Sequence, residues 1–280
     1  MEIFKTREET FNCIKNLKTK GKTIGFIPTM GALHEGHLEL MRSARNDCDT
    51  VIVSIFVNPI QFNNKEDLSK YPRDIESDIA KLKTIPCDIL FNPSEKEMYP
   101  DEVTENYDFG NLETVMEGKF RPGHFKGVAI VVKRLFDIVQ PDRAYFGEKD
   151  YQQLRIIQEL VRQHKLPVNI IACPTVREKD GLAMSSRNQR LTRNERQSAS
   201  LLYKALSNIK MAAFKNPLSQ VLQEARKMIQ NDELFELEYL IASDTKSLAP
   251  VNQWFPGNEY VICLAAQLGK VRLIDNVIIR

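Results

Sequence analysis

No run of about eighteen apolar residues occurs anywhere in the 280-residue chain, so no membrane-spanning helix is expected. The amino-terminal MEIFKTREETFNCIKNLKTK is charged throughout and lacks an apolar core of signal-peptide length; a cytoplasmic location is expected. An excess of one charge is also missing. The 39 Lys and Arg against 37 Asp and Glu leave a formal +2. That balance argues against a nucleic-acid binder, which draws on a marked basic excess, and leaves any anionic ligand to a local basic pocket. Paired cysteines are absent. Cys13, Cys48, Cys87, Cys173 and Cys263 are odd in number, dispersed and without a CxxC pair, which reads as free or buried thiols in a reducing compartment. A P-loop is lacking too. Gly21-Lys22-Thr23 ends like one, but Asn16 stands where its first glycine is needed, and the triplet precedes the first predicted strand.

What is present in the first half is alternation. Apolar β-branched runs at Lys22–Pro28, Thr50–Val57, Cys87–Phe91, Arg143–Phe146 and Val168–Ala172 read as strands. Between them, His37–Asn46, Ile75–Lys83, Val128–Val139 and Gln152–His164 have helical spacing. Strands separated by helices predict βαβ units and a doubly wound, Rossmann-like parallel sheet, with ligands beyond the carboxyl ends of the strands. The texture then changes near Pro174. Helical stretches at Arg193–Phe214 and Leu218–Gln230 precede strands at Leu237–Ala242, Tyr260–Ala266 and Val271–Ile279. The expected organisation is an α/β domain over residues 1–175 and a smaller α+β carboxy-terminal domain over residues 176–280.

Five segments carry chemistry. PTMGALHEGHL, Pro28–Leu38, joins a predicted strand to a predicted helix. Gly31 and Gly36 permit a tight turn and close backbone approach, and the helix start offers free N–H groups to phosphate. His34 and His37 are spaced to share one side of a helical turn and to donate to a polyphosphate. Two histidines alone also suit a metal site, but no third ligand stands nearby. FVNPIQF, Phe56–Phe62, offers the neutral amides of Asn58 and Gln61 for orienting a polar substrate, or a plain Asn-Pro turn. YFGEKDYQQL, Tyr145–Leu154, repeats the strand–glycine–helix arrangement. Lys149 there is a mobile charge for phosphate oxygens, Asp150 caps a helix or holds ribose hydroxyls, and Gln153 lies one turn on. REKDGLAMSSRNQRLT, Arg177–Thr192, clusters Ser185, Ser186 and Arg187 in a polar loop suited to closing over a triphosphate, or to serving as a linker. EGKFRPGHFKGV, Glu117–Val128, places Arg121, His124 and Gly127 in a glycine-interrupted stretch ahead of a helix.

These stretches, in this order, resemble the pantothenate synthetase (pantoate–β-alanine ligase) family of HxGH nucleotidyltransferases, from about Thr23 to Arg193 with an echo in the terminal VRLIDNVII. The resemblance implies an ATP-dependent ligase that forms pantoyl adenylate and passes the acyl group to β-alanine. It assigns ATP to Met30, Gly31, Ala32, Leu33, His34, Glu35, Gly36 and His37, with His37 as the usual catalytic acid beside His34 and Lys149. Gly147, Glu148, Lys149 and Asp150 would hold ribose and phosphate, Val176 the adenine, and Met184, Ser185, Ser186 and Arg187 the triphosphate. Gln61 and Gln153 would contact pantoate, and Gln61 later β-alanine. The first domain would bind ATP and pantoate and the second would act as a lid. The family is generally homodimeric and requires Mg²⁺. No carboxylate cluster in the sequence suggests a dedicated cage, which fits a metal carried in on ATP.

Two other functions compete with that reading. Another adenylyl- or cytidylyltransferase of the superfamily would release the nucleotidyl product itself and need no amine. A non-catalytic nucleotide-binding regulator would bind ATP without releasing pyrophosphate. An aminoacyl-tRNA synthetase is disfavoured by 280 nearly neutral residues.

Overall fold

In the computed structural model, residues 1–280 are described, the side chain of Lys65 excepted. Two segments set the centre of the larger sheet. Ile24–Thr29 (β2) and Thr50–Ile55 (β3) pair in parallel over six residues, and every residue of β3 is buried. TVIVSI therefore has no polar face, the signature of a parallel strand covered on both sides. Glu2–Phe4 (β1), Ile89–Phe91 (β4), Arg143–Gly147 (β5) and Asn169–Cys173 (β6) complete a six-stranded parallel sheet in the order β1-β4-β3-β2-β5-β6. The chain reverses its direction of sheet-building between β2 and β5, which makes the crevice beyond their carboxyl ends the expected ligand site.

Helices cover both faces. Arg7–Thr19 (α1) starts with a capping box between Thr6 and Glu9 and buries Ile14. Glu35–Asp47 (α2) buries Leu38, Met41 and Ala44. It lies so close to β2 that a Cβ on Gly25 would sit 3.1 Å from the Ala44 Cβ. Ile75–Leu82 (α3), His124–Val139 (α4) and Tyr151–His164 (α5) follow the predicted helices, with α4 beginning four residues earlier than Val128. The sequence pattern missed β1 and α1. Three residues are too few to show a period, and the charged exterior of α1 masks its short apolar stripe.

Beyond β6, Leu201–Ala212 (α6) and Leu218–Gln230 (α7) pack on an antiparallel sheet of Phe235–Asp244 (β7), Tyr260–Leu268 (β8) and Val271–Ile279 (β9), in that order. Its core joins Leu206, Ile209 and Ile229 to Leu240, Ile262 and Leu264. The helix expected over Arg193–Phe214 is interrupted. Arg193–Ser198 forms a short helix with its own Thr192–Glu195 capping box, and α6 starts after Ser200. Ala199 and Ser200 keep right-handed helical angles, so the interruption loosens the ladder without turning the chain.

Part-buried ion pairs tie the smaller sheet to the short helix Met116–Phe120. Arg272 on β9 donates to both oxygens of Glu117 at 2.7 Å and also pairs with Glu238 on β7. Tyr239 donates to Glu117 at 2.7 Å. Burial alone would raise the Glu117 pKa, but the Arg272 and Tyr239 contacts outweigh it and hold the carboxyl below its ordinary value. Among the described residues, no helix is long and apolar enough to cross a membrane.

Candidate active site

Three strand ends converge at the switch point. The loop after β2 is shaped first. Gly31 has φ +82°, and a Cβ there would meet the Asp78 carboxylate at 2.8 Å. Asp78, buried on α3, accepts from Ala32 N at 2.8 Å and Leu33 N at 2.7 Å, while Lys81 donates to the Leu33 carbonyl at 2.7 Å. Gly31 is thus the only residue type that leaves room for the carboxylate securing the turn. Asp78 was not legible as a site residue, because its partner lies 46 positions away on another element.

His34 is the N-cap of α2. Its Nδ1 accepts from Gly36 N at 3.2 Å, and the His37 Nδ1 accepts from His34 N at 3.3 Å. Both rings therefore carry their proton on Nε2, so each offers one donor. Their ring centroids are 4.1 Å apart. Burial first, then the charge of Lys149, lowers His34 to about 4. Burial, His34 and Lys149 push His37 well below the usual histidine value. Two neutral donors face a cavity of about 240 Å³.

The Pro59–Gln61 turn enters the same cavity. The Gln61 Nε2 lies 2.9 Å from the Met30 Sδ, and its Oε1 accepts from Asn58 at 3.1 Å. Asn58 in turn accepts from the Tyr99 hydroxyl at 2.6 Å and donates to the Gly127 carbonyl. His124 donates from Nδ1 to the Gln61 carbonyl at 2.8 Å and accepts at Nε2 from Arg121 at 3.1 Å, which fixes the opposite tautomer to that of the other two histidines. Burial, then the adjacent Arg121 guanidinium, lowers His124 to about 4. The sequence pattern allows Arg121 and His124 either a structured loop near the site or a plain turn. Their contact with the glutamine turn appears once α4 is folded against it.

After β5, Gly147, Lys149 and Asp150 line the cavity. The Lys149 Nζ lies 3.5 Å from the Asp150 carboxylate. Gln153 on α5 faces the cavity, whereas its neighbour Gln152 is buried and donates to the Leu112 and Val115 carbonyls at 2.8 Å. Adjacent glutamines on one helix, about 100° apart, thus divide their roles, one toward ligand space and one into the frame.

The segment after β6 closes the fourth side. Met184 N donates to the Val176 carbonyl at 3.0 Å, and Ser185 caps the turn Ser186–Arg190 by accepting from Arg187 N. Arg187 pairs with Asp67 at 2.9 Å. Val176, Met184 and Ser185–Arg187 all line the cavity. A second space of about 790 Å³ abuts it and shares Arg121, Lys149, Asp150, Ser185 and Arg187 with it. Met30, His34, Gly36, His37 and Gln61 meet these residues. The Glu35 side chain does not, since it pairs with Arg42 on the surface, and Leu33 is buried in the core.

A family model described as pantoate-beta-alanine ligase matches residues 2–278. The chain belongs to the pantoate–β-alanine ligase family. The pantothenate synthetase of Christiangramia forsetii is 45% identical over 279 residues, 99% of either chain. The crystal structure of pantothenate synthetase from Thermus thermophilus superposes with a TM-score of 0.92 at 41% identity, each chain covered to 99%. That of the Francisella tularensis pantoate-beta-alanine ligase, complexed with beta-gamma ATP and beta-alanine, gives 0.82 at 39% identity, covering 99% of this chain and 97% of its own. Members of the pantoate–β-alanine ligase family form a carbon–nitrogen bond between the two compounds in their name, and this chain is such a ligase.

The depressed histidines set an expected pH dependence of stability. His34 and His124 are neutral in the fold down to about 4, whereas an unfolded chain protonates them near 6.5. Between those values the unfolded state binds more protons, so stability rises with pH across the window and is lost as pH falls through it. Each contributes a slope of up to about 1.4 kcal/mol per pH unit there. Urea melts from pH 8 to pH 4.5 check this. A midpoint unchanged between pH 7 and pH 5 would remove the assignment.

Proposed function

We propose that the enzyme binds ATP as its magnesium complex and adenylates pantoate in this cavity, then transfers the pantoyl group to β-alanine. The observation carrying the proposal is the meeting of the His34–His37 helix start, the Lys149 turn and the Ser185–Arg187 loop around one cavity at the sheet's switch point. Six side chains there, His34, His37, Lys149, Ser185, Ser186 and Arg187, can donate to negative charge. Among the described residues no set of three His, Cys, Asp or Glu side chains is grouped to hold a metal, and the metal enters with the nucleotide substrate.

A pantoate carboxylate oxygen attacks the α-phosphorus in line, and the bond from that phosphorus to the β-phosphate oxygen breaks, releasing pyrophosphate. Lys149, the two Nε2–H groups, Ser185, Ser186 and Arg187 spread the charge on the phosphoryl oxygens. Gln61 and Gln153 orient pantoate, and the Val176 backbone meets the adenine. The free amine of β-alanine then attacks the acyl carbon, the carbon–oxygen bond to AMP breaks, and the amine loses a proton to solvent. Residues 176–280 act as a lid over residues 1–175, and the resemblance extends to a cytoplasmic homodimer.

Gly127 tests the glutamine turn. A Cβ there would lie 2.5 Å from the Ile60 carbonyl oxygen and 2.7 Å from the Gln61 Cα, both backbone atoms. Gly127→Ala is expected to cost about 1–3 kcal/mol of stability. It should also raise the KM for pantoate on the order of 10-fold by shifting Gln61. Melting curves and steady-state kinetics measure both, and unchanged values would remove the turn from the site.

The function itself is tested by pyrophosphate release from ATP with pantoate and Mg²⁺, followed by β-alanine and detection of pantothenate and AMP. Pantoate-dependent release followed by amide formation is expected. ATP binding by folded protein without pantoate-dependent release would overturn the proposal and favour a regulator or another acceptor.

A further inference from the structure

The terminal VRLIDNVII has no part in the chemistry above, yet two of its residues reach both nucleotide-facing segments. Asp275 and Asn276 on β9 are 4% and 5% exposed, although β9 is an edge strand of the smaller sheet. Asn276 spends both hydrogens of its side-chain amide on consecutive carbonyls, Glu148 at 2.9 Å and Lys149 at 2.8 Å. The turn Glu148–Asp150 is three residues long, with no side-chain cap of its own. Nothing within so short a turn fixes the peptide that carries Lys149.

Asp275 acts on the other segment. It accepts from Arg177 in a bidentate pair at 2.6 and 3.0 Å. Arg177 further donates to the Gly181 carbonyl at 3.1 Å and lies 4.2 Å over the Tyr203 ring. Its own strand bridge to Ala183 leads directly into Met184–Arg187. The Asp275 carboxylate also accepts from the Asn276 backbone N–H at 2.7 Å, which holds it against the strand that carries Asn276. One dipeptide from the smaller sheet thereby sets the Lys149 turn against the serine–arginine loop across the interface.

We propose that Asn276 is a positioning residue for the adenylation step, acting through the main chain of Lys149. Its two hydrogen bonds hold the lysine's peptide at the height from which the ammonium reaches the transferring phosphorus, while Asp275 holds Arg177 beside it. The proposal rests on the role given to Lys149 above. A brace with no catalytic consequence would stabilise the interface equally, and coupling to Lys149 separates the two.

The experiment is a double-mutant cycle read by single-turnover, pantoate-dependent pyrophosphate release. Asn276→Ala is expected to slow release by about 10-fold or more in the otherwise unaltered enzyme, the scale of a displaced catalytic group. In a Lys149→Ala background the same substitution should slow it by less than about 2-fold, since the group it positions is gone. Equal slowing in both backgrounds, or lost thermal stability with unchanged release, would overturn the proposal. Near-normal release by Lys149→Ala alone would remove the lysine's role and this proposal with it. Normal Lys149 dependence with an unaffected Asn276→Ala would remove only the latter. Asn276→Ser carries the same cycle should the alanine variant not fold.

Discussion

Lys149→Ala is expected to lower the rate of pantoate-dependent pyrophosphate release by about 10²-fold or more, the scale of one lost charge-stabilising donor. Among the described residues, three cationic side chains line the smaller cavity: Arg121, Lys149 and Arg187. Arg187 is tied to Asp67 at 2.9 Å, and Arg121 hydrogen-bonds His124. Lys149 has only Asp150 at 3.5 Å, a loose contact from which the flexible stem can swing to phosphate. Lys149→Arg is not expected to restore the rate, because a planar fork does not substitute for a compact ammonium on a short turn. The alanine variant should also change the histidines. Lys149 is among the causes of low pKa at both His34 and His37, so its loss moves both upward, from about 4 in the case of His34. NMR titration of the imidazoles reads that shift, and single-turnover assays read the rate. Near-normal adenylation would remove Lys149 from the mechanism.

The parts of this site that the sequence made legible are contiguous. Pro28–Leu38 and Tyr145–Leu154 each carry a strand end, a glycine and a helix start within about ten residues, and local rules suffice to read them. The alternation of apolar runs and helical spacing likewise predicts the parallel sheet, since a fully buried strand such as Thr50–Ile55 has its own composition. What the pattern could not supply are contacts chosen by topology. Asp78 reaches Leu33 across 45 positions, Arg187 reaches Asp67 across 120, and Asn276 reaches Lys149 across 127. Each looks like an ordinary polar residue until the strand order brings its partner near. The free thiols illustrate the opposite case. Their scatter alone predicts unpaired cysteines, and all five are free, four of them buried.

His37 gives the other large effect, and its geometry decides which substitution is informative. The ring accepts from the His34 amide at Nδ1, so the group it offers to ligand is a single N–H at Nε2. Burial first, and then the neighbouring His34 and Lys149, push its pKa well below the usual value, so near neutral pH the free enzyme presents an uncharged donor. A bound polyphosphate offsets these causes by bringing negative charge beside the ring, which raises the pKa in the complex. A neutral donor to phosphoryl oxygen and a proton donor to the leaving group therefore predict different outcomes. His37→Ala removes either function and should slow adenylation by about 10²-fold or more. His37→Gln keeps an N–H at similar reach but cannot release a proton near neutral pH. If the ring acts by hydrogen bonding, the glutamine variant should recover at least about tenfold over alanine, the worth of roughly one such contact. Its rate should also stay flat from pH 6 to pH 8. If the ring must give up a proton, glutamine falls with alanine, and the wild-type rate declines as pH rises through the pKa of the complex. The neutral tautomer fixed by the His34 amide favours the first outcome, because one hydrogen bond settles both which nitrogen carries the proton and where it points.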